Sequence, residues 1–354
     1  MKIECKLLIE ILDKLSPIVK AGRVKEQNPF ILLHDNQLIA HSEDCYMSIF
    51  LDHTFDNVVI PFDKTYSLLK GFSPKQNIQF IQEGNKVKVN YSAGRKKTAA
   101  AIAMIEDVSI QYLDPFENTK WLPVPRDFID GLKLCKISLP RESLNPALTN
   151  YAINKGVIVT SDDFRISHYI LDNAFGTTLS ISAISGDVII SNNFNKWFQN
   201  DINCIDFAND YAWTRVMLGT AEYPKVTTQM FKYNDCFAVS RTALIKALER
   251  ASIFAEGESE LDYIATLSTH TAIKGKPQFV VNANNDFGKI SESGRLAHTN
   301  VEKELSINPV YLLQILKNLT EKTIEIGVDE YDRLIFNEGS YSHILATYWE
   351  TNKE

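Results

Sequence analysis

What this chain lacks narrows it first. Its five cysteines (Cys5, Cys45, Cys135, Cys204 and Cys236) are odd in number, and no two stand at Cys-x-x-Cys spacing. They read as reduced thiols of a cytoplasmic protein. The seven histidines are scattered, with no His-Glu-x-x-His and no Cys/His cluster at metal spacing. Gly94-Arg95-Lys96-Lys97 has no glycine-rich cradle before it, so no phosphate-binding loop is read there. Asp162-Asp163 is a poor catalytic pair, because neighbours on a strand point to opposite faces. No apolar run is long enough to cross a bilayer, and Glu4 and Glu10 interrupt the segment a signal peptide would need. The expectation is a soluble protein that is not an enzyme and uses no metal or cofactor.

What is present is repetition. The 354 residues, 45% apolar and 23% charged, suffice for two or three domains. "NVVIPFDKTYSLLKG" (57–71), "DVIISNNFNKWFQND" (187–201) and "ELSINPVYLLQILKN" (304–318) read as one phrase, an apolar strand and then a helix, with Ile60, Ile190 and Ile307 in register. An alternating strand signal follows each copy, at 78–91, 205–218 and 324–337, the first broken by a turn at Glu83-Gly84-Asn85. A second phrase precedes each copy, at 6–19, 126–139 and 241–254. It aligns Leu8-Ile9, Phe128-Ile129 and Leu244-Ile245, then Leu12, Leu132 and Leu248. Positions i, i+1 and i+4 form one apolar helix face. Ser240 reads as an N-cap, and Pro125 as a tolerated first-turn proline. Each third therefore reads helix, strands, helix, strands. The fold class is α+β, three tandem domains with two helices on an antiparallel sheet, over 1–117, 118–232 and 233–354.

Charge divides by element. The helix windows 5–20, 62–71, 125–136, 193–200, 240–251 and 309–319 hold thirteen basic residues: Lys6, Lys14, Lys20, Lys64, Lys70, Arg126, Lys133, Lys136, Lys196, Arg241, Lys246, Arg250 and Lys317. They hold six acids, so the helices carry +7 in a chain of −7. A basic helical surface on an acidic body is the footprint of a phosphate-backbone reader. No recognition helix or Arg-rich arm stands out, so duplex binding should be non-specific.

The chain resembles the bacterial sliding clamp, the beta subunit of DNA polymerase III, along essentially its full length. The threefold repeat carries the resemblance, with four phrases in order: "AGRVKEQNPFIL" (21–32), "VTSDDFRISHYIL" (159–171), "TRVMLGTAEYPKV" (214–226) and "LERASIFAEG" (248–257). It implies a homodimer of three clamp domains per chain, each chain half of a ring around double-stranded DNA. Its partners would be a DNA polymerase and a clamp loader. It adds Arg23 and Arg141 as DNA-facing loop residues, and it places Lys70 and Lys317 at equivalent helix ends. It implies a pocket for short apolar partner peptides at Ser161, Asp163, Phe164, Arg165, Ile166, Pro224, Thr228, Met230, Leu345, Thr347, Tyr348 and Trp349. Asp163-Phe164 stands where the family usually has Gly-His, and "ATYWETNKE" replaces its apolar tail, which suits a divergent or phage-encoded member serving its own polymerase. Subunit contacts would fall on Ile253 and Phe254 and on an opposing edge strand in "KKTAAAIAMI" (96–105), including Ala99 and Ala101. Small residues there offer little apolar area, so the join should be weak. The rival reading is a protein-interaction scaffold that keeps the clamp fold without encircling DNA.

Overall fold

A computed structural model describes residues 2–21, 29–93, 96–105, 119–255, 262–273 and 276–348, with 113 and 257. The first stretch holds β1 (Lys2–Glu4), α1 (Cys5–Ala21), β2 (Phe30–His41), β3 (Cys45–Pro61), α2 (Phe62–Lys70), β4 (Asn77–Glu83), β5 (Lys86–Ala93) and β6 (Lys96–Ala103). Next come β7 (Leu122–Pro123), α3 (Phe128–Cys135), β8 (Asn150–Asn154), β9 (Val157–Ser161), β10 (Arg165–Ile170), β11 (Leu179–Ser182), α4 (Ala183–Asn192), β12 (Lys196–Asp201), β13 (Cys204–Ala208) and β14 (Ala212–Met217). The last are β15 (Asp235–Ser240), α5 (Arg241–Ala251), β16 (Ala265–Ile273), β17 (Lys276–Asn285), β18 (Gly288–Thr299), β19 (Lys303–Ile307), α6 (Pro309–Asn318), β20 (Thr323–Val328), β21 (Leu334–Glu338) and β22 (Tyr341–Leu345).

The chain folds as two compact units, Met1–Ile129 with Leu179–Thr220, and Asp130–Thr178 with Ala221–Glu354. In the first unit, antiparallel sheets run β1-β4-β5-β6 and β2-β3-β14-β13-β12-β7. In the second, neighbouring strands run β8-β9-β10-β22-β21-β20-β15-β18-β17-β16-β19. The expected domain boundary at 117 lies outside the described residues.

The paired apolar phrase explains why helices sit on these sheets. Leu8 and Leu12, Phe128 and Leu132, and Leu244 and Leu248 are all buried, while Ile9, Ile129 and Ile245 are all half-buried. Three stretches far apart in the chain thus solve the same packing problem alike. In the first unit α1 packs on α2 and α4; in the second α5 packs on α6. The turn at Gly84 is as expected, with φ +59°, a conformation that costs glycine little.

The middle copy of the strand–helix phrase corrects the expectation. Residues 193–200 are not a helix: α4 ends at Asn192, Asn193 closes it in the left-handed conformation at φ 51°, and Lys196 opens a strand. The buried residue in register with Ile60 and Ile307 is Ile181, not Ile190, which lies inside α4. Each of those three is followed by the N-cap residue of its helix, Pro61, Ser182 or Asn308. Ser240 holds the N-cap position of α5, but its side chain makes no cap bond; Asn308, by contrast, accepts from Val310 and Tyr311.

A polar knot is buried in the second unit. Ser167 Oγ lies 2.9 Å from His343 Nδ1 and 3.0 Å from Ser138 Oγ, and Tyr341 Oη lies 3.0 Å from His343 Nδ1. Burial, and then the Arg165 charge, hold the His343 pKa well below its ordinary value. Burial also lowers His41 and His168. In all three the folded pKa is depressed, so the unfolded chain takes up protons first as pH falls. Stability is full above the unfolded pKa of about 6.5 and is lost below it, by up to about 1.4 kcal/mol per pH unit for each of the buried His168 and His343 and by less for the exposed, solvent-screened His41. Thermal melts should therefore shift down between about pH 7.5 and pH 5.5. An unchanged midpoint across that range would contradict this.

Candidate nucleic-acid interface and docking face

With observed bounds, the six helices of the described residues hold ten basic and six acidic residues, so they carry +4, less than the windows predicted. Arg126, Lys136 and Arg141 lie outside the α-helices, and α4 has no basic residue at all.

Geometry sorts the bases. Arg241 turns inward, and its Nη1 donates to the carbonyls of Leu316 and Leu319 at 3.3 and 2.7 Å. It closes the C-terminal end of α6 and is a structural residue. Arg250 forks onto Glu292 at 2.6 and 2.8 Å, a pair that raises its pKa and lowers that of Glu292. Lys317 lies 3.0 Å from Glu249, Lys133 lies 3.5 Å from Asp130, and Lys196 lies 3.7 Å from Asp210. Lys70 sits 4.2 Å over the Tyr66 ring, and hydrogen bonding to Tyr66 raises its pKa. Lys20, Lys64, Arg126, Arg141 and Lys246 are exposed and form no ion pair among the described residues; Lys136 is exposed too. Lys14, 4.3 Å over the Tyr211 ring, is held by a tyrosine whose hydroxyl donates to the Asn192 carbonyl. Arg23 lies outside the described residues.

The expected peptide pocket is divided by strand alternation. Asp162 and Asp163 form a turn before β10, not part of a strand as expected, and Asp163 has φ 70°. Asp162 accepts from the backbone N–H groups of Phe164 and Arg165 at 3.2 and 2.7 Å and from Arg165 Nη2 at 2.6 Å. The Arg165 guanidinium lies 3.9 Å over the Tyr311 ring and donates to Gln314, so it is buried rather than lining a surface. Leu345, its register partner, is fully buried in the same core, and Phe164 packs against that core.

One residue along, the faces reverse. Ile166 and its partner Ile344 join Ile335 and Phe231, with Val226, Met230 and Tyr233 packed on them. The short 3-10 turn Thr228–Phe231 carries Met230, and Pro224 and Thr228 are exposed nearby in sequence. Sequence reasoning missed Val226, Tyr233, Ile335 and Ile344. The usable signal was alternation: residues even in register with Ile166 share its face. Ser161 and Tyr348 are half-buried; Tyr348 N donates to the Ser306 carbonyl, its hydroxyl accepts from Asn308, and Thr347 Oγ1 donates to the Asp332 carbonyl. Trp349 lies outside the described residues.

At the expected subunit contacts, β6 is the end strand of its sheet, with Ala99 and Ala101 exposed and Ile102 buried. Ile253 is 64% exposed, whereas Phe254 packs on the core and covers Gly288.

The sequence matches no family model and no curated protein. Solved structures do match. The DNA polymerase III subunit beta from Pseudomonas aeruginosa is 12% identical, with a TM-score of 0.75 over 99% of this chain and 100% of that one. The DNA polymerase sliding clamp from Bacillus subtilis is 15% identical, with a TM-score of 0.75 over 99% and 98%. The DNA polymerase III beta subunit from Thermotoga maritima is 15% identical, with a TM-score of 0.77 over 99% of each chain. A likeness that spans both chains end to end identifies the architecture, and this chain has the fold of the bacterial DNA polymerase III beta subunit, the sliding clamp.

Proposed function

We propose that the chain is a DNA polymerase processivity factor, a sliding clamp that encircles duplex DNA without reading its sequence. The end-to-end likeness to bacterial DNA polymerase clamps carries this reading. Three domains per chain, holding α1 with α2, α3 with α4, and α5 with α6, would give a six-domain ring from two copies. Exposed cations such as Lys20, Lys64, Arg126 and Lys246 would meet phosphates, while topological enclosure retains the ring. The Ile166–Ile344–Met230 face would take short apolar peptides of a polymerase and a clamp loader. The scaffold alternative keeps that face and drops the DNA.

Solution mass tests the ring. Light scattering should find a species of about 80 kDa, twice the 40.1 kDa chain, at high concentration. A monomer at every concentration would contradict a two-chain ring.

A further inference from the structure

We propose that His168 is a positioning residue of the docking face: its neutral imidazole, packed on Phe231, holds the turn that carries Met230, so that a proton on this ring and a client peptide on the face exclude each other. This rests on the peptide docking proposed above and adds to it a dependence on pH.

Strand alternation puts the ring on the docking side. His168 lies two residues beyond Ile166 on β10, and its β22 partner, Ser342, lies two residues before Ile344. All four therefore stand on one side of the sheet. There the ring centroids of His168 and Phe231 are 4.9 Å apart and the rings are inclined at 44°, a packed aromatic pair. Phe231 is the last residue of the turn Thr228–Phe231, so this contact anchors the turn next to Met230. One polar bond assists it, from Asn337 Nδ2 to the Phe231 carbonyl at 3.3 Å. The other wall is fixed separately. Tyr233 lies flat on β20 at Gly327, where a Cβ would strike its ring, and its hydroxyl donates to Glu325 at 2.7 Å. Tyr233 is thus tied to the sheet, while Met230 depends on the His168 contact.

Packing alone does not call for histidine here. The residue is 3% exposed, and its Nδ1 is buried with no hydrogen-bond partner. Phenylalanine would fill the place without an unpaired polar atom, which is costly. What imidazole adds is a site for a proton close to neutral pH. The surroundings do not offset that proton. The register partners are Val159 on β9 and Ser342 on β22, and the turn brings Thr228, Gln229, Met230 and Phe231. On β20, Glu325 is engaged by Tyr233; on β21, Glu338 is engaged by Thr320. Asp162 is held by Arg165, Lys232 is exposed, and Arg165 and His343 stand on the opposite face of the sheet. Burial is accordingly what lowers the His168 pKa.

The direction of the effect follows from that burial. With the face free, a charged ring reaches water when the turn lifts. With a peptide seated on Ile166, Ile344 and Met230 it does not, so the complex keeps the ring neutral to lower pH than the free chain does. Affinity is then constant above the free-chain pKa and falls as pH drops through it, by at most about tenfold per pH unit. Each peptide bound in that range expels up to one proton. The ordinary value of 6.5 is lowered here, so the loss begins below neutrality.

Titration calorimetry of the full chain is the test. The probe is an acetylated, amidated Ala-Leu-Leu-Leu-Phe peptide, which has no ionisable group. Each pH from about 5.5 to about 8 is run in two buffers of different ionisation enthalpy, so that protons are counted as well as peptides. The expected result is a dissociation constant that is flat above neutrality, rises about threefold or more by about pH 5.5, and is accompanied there by proton release. His168→Phe keeps a ring against Phe231 and cannot titrate; its affinity should not vary with pH, and its binding should release no proton. Phe231→Leu removes the ring contact and should weaken binding at every pH. A dissociation constant flat in the natural chain, or one that rises equally in His168→Phe, would overturn this role of His168 and leave the docking face standing. No binding of the peptide at any pH would overturn the docking face and His168's role with it.

Discussion

Replacing Lys20, Lys64, Arg126 and Lys246 together by alanine should weaken association with duplex DNA roughly a hundredfold at low salt. The slope of log affinity against log salt should flatten by up to about 7, the value for eight lost phosphate contacts, four from each copy of the ring. These four are chosen because they are exposed and form no ion pair among the described residues. Arg250 and Lys317 already neutralise Glu292 and Glu249, so their loss also frees an acid on the same surface. Arg241 must be avoided, because its loss uncovers the Leu316 and Leu319 carbonyls and confuses folding with binding. Fluorescence anisotropy on one labelled duplex over a salt series reads both quantities. An unchanged slope would favour the scaffold.

Arg165→Ala should strongly destabilise the second unit. It leaves the Asp162 carboxylate, nine-tenths buried, without its cation, and Gln314 without its donor. Breaking such a pair from one side costs about 3–5 kcal/mol. For a unit of this size that is a fall of about 10 °C in its melting transition. Arg165→Lys should recover only part, since an ammonium cannot fork onto Asp162 while lying flat on Tyr311. The turn held by this pair also aims Phe164 and Ile166, so partner-peptide docking should fail with it. A melting shift under about 2 °C for Arg165→Ala would contradict the account.

Much of this was legible because packing repeats. The triplets Leu8–Ile9–Leu12, Phe128–Ile129–Leu132 and Leu244–Ile245–Leu248 fell into the same buried and half-buried classes in all three copies. The middle copy misled at 187–201 because α4 spreads Ile184, Val188, Ile189 and Ile190 round its surface, with Asp187 its single charge. Period alone could not separate that helix from the strand at Lys196. Charges were countable but their partners were not: Glu292 lies 42 residues from Arg250 in the chain and meets it only through folding. The pocket was read as contiguous strings, whereas β10 and β22 send Arg165 and Leu345 inward and Ile166 and Ile344 to the opposite face.

Retention on circular DNA tests the central claim most directly. The protein is assembled on a nicked plasmid, washed at high salt to strip surface-bound chains, and measured again after a single restriction cut. The account predicts that protein stays on the circle through the wash and leaves when the cut provides an end. Loss from the circle and the linear form alike at high salt, with a dimer present in solution, would contradict encirclement.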